Sequence, residues 1–249
     1  MNCRIKHGCE EALGIGIDSK QNDKESILVS PFPREISFSV KFVDEENQHI
    51  IPREELAILT AKVVKSRKDH FVAGRAAAHT ALEVLLGSSD FPLLRGEKGE
   101  PLWPPGIVGA ITHTKGIAAS AVAQKCNCDG IGLDLELMDR RVSIGIADRV
   151  CTPKEQEWVK ESVPNLKMLF SAKEAVFKAF YPIEGVYLDF ADVELTWDKR
   201  DSRFSGVLIE RAGKHYPIGY GFDVGCILVG PYVFAFMNLP PLARSLQKG

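Results

Sequence analysis

The segment GIGLDLEL (130–137) alternates without a break. Ile131, Leu133, Leu135 and Leu137 fall on one face of a strand, with Gly132, Asp134 and Glu136 on the other. Side chains two apart on a strand point the same way, so the Asp134 and Glu136 carboxylates stand side by side. Such a pair is either the solvent face of an edge strand or a seat for a positive partner. A hard divalent cation such as Mg²⁺, with Mn²⁺ as a substitute, prefers oxygen ligands of this kind. The chain also holds its own control: LGIGIDSK (13–20) echoes the strand, with Asp18 at the place of Asp134 but Lys20 at that of Glu136. A paired-carboxylate site can form only at the second copy.

Downstream, TPKEQEWV (152–159) opens with Thr152, Pro153 and Glu155, the pattern of a capping box with proline at the first helical position. FSAKEAVFKAFYP (170–182) continues as an amphipathic helix. Leu166, Leu169, Phe170, Phe177 and Phe180 recur at helical spacing, while Glu174 and Lys178, four apart, project together with Ser171 one turn before. The polar side of this helix is either a solvated Glu–Lys pair or the wall of a site.

The remaining elements read as mixed α and β. EISFSVKFV (35–43) predicts a strand, and residues 52–87 predict helix on the spacing of Leu56, Leu59 and Val63, with Gly87 as the stop. Residues 93–106, rich in Gly and Pro, predict a loop, and residues 107–124 two short strands. The final apolar run, 224–237, is too short to span a membrane and is broken by Gly230-Pro231, which predicts a strand pair. The polar KCNCDG (125–130) divides the chain into halves 1–124 and 125–249.

A net charge of −2 argues against a general nucleic-acid binder and makes any basic site local. Six cysteines without a CxxC pair suit a reduced compartment better than a zinc site. The first residues lack the apolar run of a signal peptide, so the expectation is a cytoplasmic protein.

G-I-G-L-D-L-E followed by F-S-A-K-E-A-V-F-K resembles the paired signature of the 4′-phosphopantetheinyl transferases, in its enterobactin-synthetase branch of the surfactin-type group. FVAGRAAAHTAL (71–82), GEPLWP (99–104) and GAITHTKGIAA (109–119) extend the resemblance to that branch. It implies an α+β fold of two similar α/β halves forming a pseudo-twofold monomer. The implied activity is Mg²⁺-dependent transfer of the 4′-phosphopantetheine arm of coenzyme A to a serine of an apo acyl, aryl or peptidyl carrier protein. Adenosine 3′,5′-bisphosphate leaves, and the branch leans toward secondary metabolism such as siderophore, peptide or polyketide synthesis.

By the same resemblance, Asp134, Glu136 and Glu174 match the metal-binding acids, Glu174 also being the candidate general base. Lys178 and Lys173 match the lysines that face the pyrophosphate. Thr112 and His113, with Arg75 and some of Lys65, Arg67 and Lys68, match the elements that take the 3′-phosphate of coenzyme A. For His113 taken alone, a core histidine satisfied by backbone groups is the alternative, and for residues 65–68 a solvated helix end. One departure stands out: Glu100 occupies the place where many surfactin-type sequences carry a lysine, leaving Lys98 or Arg95 as substitutes.

Two other functions use the same residues. A metal-dependent phosphohydrolase would activate water instead of serine, and a non-catalytic coenzyme A or carrier-binding module would need no base. On the sequence, Asp134→Ala is expected to abolish turnover without harming the fold, as for an exposed strand carboxylate.

Overall fold

The computed structural model describes residues 29–43, 49–59, 63–138, 144–160, 162–185 and 187–242. The 13–20 echo of the acidic strand lies outside these residues.

Strand β1 (Ile36–Phe42) pairs antiparallel with β3 (Ile117–Gln124), and β3 with β2 (Ile107–Thr114), in the order β1-β3-β2. The two strands expected in 107–124 form a tight hairpin, with Thr114 opposite Ile117 and Gly116 at φ 88° in the turn. Strand β4 (Gly130–Leu137) begins a second antiparallel sheet of five strands, whose order is β4-β8-β7-β6-β5. Its other members are β5 (Val193–Asp198), β6 (Arg203–Leu208), β7 (Gly221–Val229) and β8 (Tyr232–Leu239). The final apolar run is thus β7 and β8, turning at Gly230-Pro231 as its sequence predicts.

The helical reading of 52–87 needs correction. Two helices form, α1 (Arg53–Leu56) and α2 (Lys65–Leu86), and the spacing of Leu56, Leu59 and Val63 belongs to no single face. The cause is Glu55, which is fully buried. Its Oε1 accepts from Leu93 N at 2.9 Å and meets His79 Nε2 at 2.5 Å, while Oε2 stands 3.8 Å from Arg75 Nε. A buried carboxylate has to reach these partners, so α1 braces α2 and does not continue into it. At the other end Gly87, at φ 78°, caps α2 as expected.

The polar segment after β4 leads through α3 (Ala147–Val150) to α4 (Pro153–Val159), where Thr152 and Glu155 form the anticipated capping box. Helix α5 (Val163–Glu184) follows. Its inward stripe is Leu166, Leu169, Ala172, Ala175, Val176, Ala179 and Phe180. Phe170 and Phe177 sit on its flanks against Phe190 and Tyr187, wider of the core than the sequence spacing implies.

Each half lays one long helix on its own sheet. Ala78, Ala81 and Leu82 of α2 pack on Ile107 and Val122. The opposite face of that sheet meets Ile131, Leu133 and Leu135 of β4 and Phe234 of β8. Helix α5 covers the outer face of the second sheet. This is the α+β plan of two similar halves, and it places β4 at their seam with both faces covered. No helix among the described residues is long and apolar enough to cross a membrane.

Candidate active site

The even-numbered face of β4 lies against α5, and two glycines decide how closely. A Cβ at Gly130 would stand 2.2 Å from Ala179 O, and one at Gly132 only 1.8 Å from Ala175 O. With no side chain at 130 and 132, the helix backbone rests on the strand, and the next residue on that face, Asp134, meets α5 directly.

Asp134 is 5% exposed. Its Oδ1 accepts from Lys178 Nζ at 2.6 Å and its Oδ2 from Ser171 Oγ at 3.0 Å, both on α5. From β2, Thr112 Oγ1 lies 3.4 Å from Oδ1 and accepts from Leu135 N at 3.1 Å. One carboxylate therefore joins β4, α5 and β2, so the reading of β4 as a solvent-facing edge is excluded.

Glu174 sits between Ser171 and Lys178 on the same side of α5 and is half-buried. Burial raises its pKa above the ordinary carboxylate value; Lys178 lowers it and the Asp134 charge raises it again. Glu136, two residues along β4, is half-buried and lies in register with Val233. Among the described residues no group of three or more His, Cys, Asp or Glu stands drawn together as a metal cage. The donor chemistry nonetheless fits a hard divalent cation. Asp134 and Glu174 offer oxygen ligands and repel one another, and one ammonium, from Lys178, offsets them.

Two cavities flank this polar strip. A cleft of about 750 Å³ is lined by Lys98, Trp103, Ile111, Phe177, Lys178 and Tyr181. A second pocket, of about 220 Å³, is lined by Glu174, Phe177, Tyr187, Leu188 and Phe190 together with Lys173, and shares Phe177 and Tyr187 with the first.

Other sequence candidates fall in different places. Lys173 is 3% exposed, and its ammonium is consumed by Glu155 Oε2 at 2.6 Å and by the carbonyls of Val150, Phe190 and Val193. It ties α4 and β5 to α5 and holds no donor in reserve for a pyrophosphate. Thr112 is buried on Asp134 and Leu135, which gives its hydroxyl to the strand seam and not to a phosphate. Arg75, 4% exposed, lies over the Phe71 ring at 5.1 Å and beside Glu55. Arg67 and Lys68 are exposed on the first turn of α2.

His113 is an exposed residue whose ring stacks on His70, so the satisfied core histidine is excluded. Burial comes first in holding its pKa down, to about 4, and the neighbouring His70, Lys178 and Arg67 add to it. Glu100 folds back under its own loop and accepts from Lys98 N at 3.0 Å. It shapes the turn that brings Lys98 to the cleft, and is no vacancy in a phosphate site.

The sequence reading missed Gly130 and Gly132 as the reason for the close helix, although glycines alternating with acids on one strand face were the available signal. It missed Trp103 and Tyr181 as cleft walls, since loop and helix-end positions carry no periodic mark. The described cysteines are free, and burial pushes the thiols of Cys128 and Cys151 up to about 11 and that of Cys226 to about 12, which leaves these three idle at neutral pH.

Residues 53–123 match the family model of the 4′-phosphopantetheinyl transferase N-terminal domain, and residues 130–233 that of the 4′-phosphopantetheinyl transferase superfamily. The chain is 38% identical over 153 residues to the 4′-phosphopantetheinyl transferase Npt of Nocardia iowensis, covering 60% of this chain and 67% of that one. It is 30% identical over 190 residues to the 4′-phosphopantetheinyl transferase PptT of Mycobacterium tuberculosis, covering 75% and 82%. Enterobactin synthase component D of Salmonella typhimurium is 33% identical over 121 residues, covering 47% and 49%.

Proposed function

We propose that this chain, which belongs to the 4′-phosphopantetheinyl transferase superfamily, moves the 4′-phosphopantetheine arm of coenzyme A onto a serine of an apo carrier protein through the Asp134–Glu174–Lys178 strip. The observation that carries this reading is the seat of Asp134. It lies buried where β2, β4 and α5 meet, with Lys178 at 2.6 Å and Glu174 beside it, between two cavities.

The reaction breaks the bond between the β-phosphorus and the bridging oxygen of the pyrophosphate. The two parts of coenzyme A must therefore diverge from the reacting phosphorus. His113 bears on Lys178, which lines the larger cleft. The nucleotide accordingly takes that side, and the pantetheine arm runs toward the apolar pocket next to Glu174, with Phe177 dividing the two.

Glu174 acts as general base. Its burial-raised pKa matches it to a proton shared with a serine hydroxyl better than an ordinary surface carboxylate would be. The serine Oγ–H bond breaks with the proton passing to Glu174, directly or through a water. The Oγ–phosphorus bond forms, and adenosine 3′,5′-bisphosphate leaves with the electron pair of the broken bond. Lys178 takes up charge on the pyrophosphate oxygens once its hold on Asp134 is shared. Asp134, Glu136 and Glu174 are the residues that would hold Mg²⁺, whose chemistry when bound is to neutralise the nonbridging oxygens. Ser171 and Thr112 fix the Asp134 carboxylate in place.

The chain works in this reading as a cytoplasmic monomer of halves 1–124 and 125–249, with the 3′-phosphate elements in the first and the catalytic acids in the second. The test is intact-mass analysis of an apo carrier protein incubated with the chain, Mg²⁺ and coenzyme A. A gain of one phosphopantetheine group supports the transfer. Hydrolysed coenzyme A beside an unmodified carrier would assign a phosphohydrolase, and no change in either would leave a binding module.

A further inference from the structure

Helix α2 presents Arg67, His70 and Gly74 at spacings of three and four, one face of its first turns. Strand β2 passes beneath that face. A Cβ at position 74 would stand 2.9 Å from Ile111 Cγ2 and 3.9 Å from His113 Cδ2. The glycine lets the strand approach until the rings of His70 and His113 stack, with centroids 5.5 Å apart and planes at 29°.

Two stacked imidazoles beside a guanidinium are tolerated while the rings are neutral, and become a repelling group of cations when protonated unless an anion is bound among them. Among the described residues no carboxylate forms an ion pair with Arg67, His70 or His113. The acid that bears on His70, Asp69, is held by Lys65 at 2.9 Å. From α5, Lys178 adds to the positive field at His113 and is itself committed to Asp134. Burial comes first in holding His70 below the usual imidazole pKa, with Asp69 opposing it and Arg67 assisting it. Both rings thus sit ready to take a proton when an anion arrives.

We propose that His70 is a further residue of an anion-binding site beside the cleft, fixing the ring of His113 and, with Arg67, donating to a phosphate monoester, the 3′-phosphate of coenzyme A. The proposal rests on the reading of His113 as a contact of that phosphate, and assigns the second imidazole a share of the same load. No covalent step is involved.

Calorimetric titration of the full chain with coenzyme A and with 3′-dephospho-coenzyme A tests it, using wild type, His70→Phe and His70→Ala. His70→Phe keeps an aromatic ring against His113 but removes the N–H donors. It should lower coenzyme A affinity about tenfold, the worth of one hydrogen bond to a charged group, and leave the dephospho ligand within about twofold. His70→Ala should lose at least as much.

The bound phosphate favours the protonated rings, so the extra preference for coenzyme A is fully present below the free-state pKa and is lost as pH rises through the bound-state pKa. Between pH 6 and 8 the wild-type preference should therefore fall, and fall less in His70→Phe. A His70→Phe variant with the wild-type preference and the wild-type pH dependence overturns the proposal, because the ring is then only packing. Equal losses for both ligands also overturn it. A wild type that does not distinguish the two ligands at any pH would instead remove the underlying reading of His113.

Discussion

Lys178 Nζ stands 2.6 Å from Asp134 Oδ1 across the contact of α5 with β4, the carboxylate nearly buried and the ammonium partly open. Each group limits what can be done to the other. Asp134→Ala should abolish carrier modification if the proposed site is right, and it also leaves Lys178, Ser171 and Thr112 without their common acceptor. The sequence expectation of an undisturbed fold is therefore replaced. The loss should be about 1–3 kcal/mol, less than for a fully buried pair because Lys178 reaches solvent. Urea denaturation measures it. The double variant Asp134→Leu with Lys178→Met should recover most of the stability and none of the activity, whereas an Asp134→Ala protein as stable as wild type would show that the pair adds nothing to the fold.

Lys173 invites a second prediction, because its four acceptors lie around α4 and β5 and not in the cleft. Lys173→Ala strands Glu155, 2% exposed, as a buried charge without its cation. The expected cost is about 3–5 kcal/mol by chemical denaturation. Specific activity should fall only as the folded fraction falls. A variant that folds normally but turns over a hundredfold more slowly would return Lys173 to the pyrophosphate.

Gly132 fixes the distance between α5 and β4. Gly132→Ala places a methyl where Ala175 O now lies, a backbone atom that cannot swing aside. The helix must lift, carrying Ser171, Glu174 and Lys178 away from Asp134. Destabilisation of about 3 kcal/mol or more is expected, the upper range for overpacking. Any folded fraction should show turnover reduced beyond what its stability explains, and near-normal kcat would mean that the glycine is not what sets the site.

The acidic strand, the capped helix and the strand pairs were legible because alternation, capping chemistry and turn residues are local signals, and here local preference agrees with the fold. The break between α1 and α2 was not legible. It depends on Glu55 reaching His79 and Leu93, residues 24 and 38 positions away. The site shows the same division. Asp134, Glu174 and Lys178 could be picked out from spacing and resemblance, since one strand face and one helix face carry them. That Lys173 would turn the other way depends on a helical step of about 100° from its neighbour and on where Glu155 ends up, which no motif encodes. Likewise Thr112 was visible as part of a motif, but its use as a clasp on Asp134 and Leu135 requires knowing that β2 and β4 lie together.

Glu174 supplies the last test, through stability in place of rate. Its folded pKa is raised above the ordinary value, chiefly by burial. The charged form is therefore the one that the fold disfavours. That cost is fully present above the folded pKa and disappears as pH falls below the unfolded value. In EDTA, Glu174→Gln should melt higher than wild type at pH 8, by about 2 °C for a chain of this size, with the advantage closing toward pH 4. Saturating Mg²⁺ should reverse the order, because a ligand that binds the folded state raises the wild-type melting temperature and has lost one of its acids in the variant. Glu174→Gln melting below wild type in EDTA at pH 8 would contradict the burial cost. An equal Mg²⁺ gain in both proteins would remove Glu174 from the metal set while leaving its role as base to the carrier-modification assay.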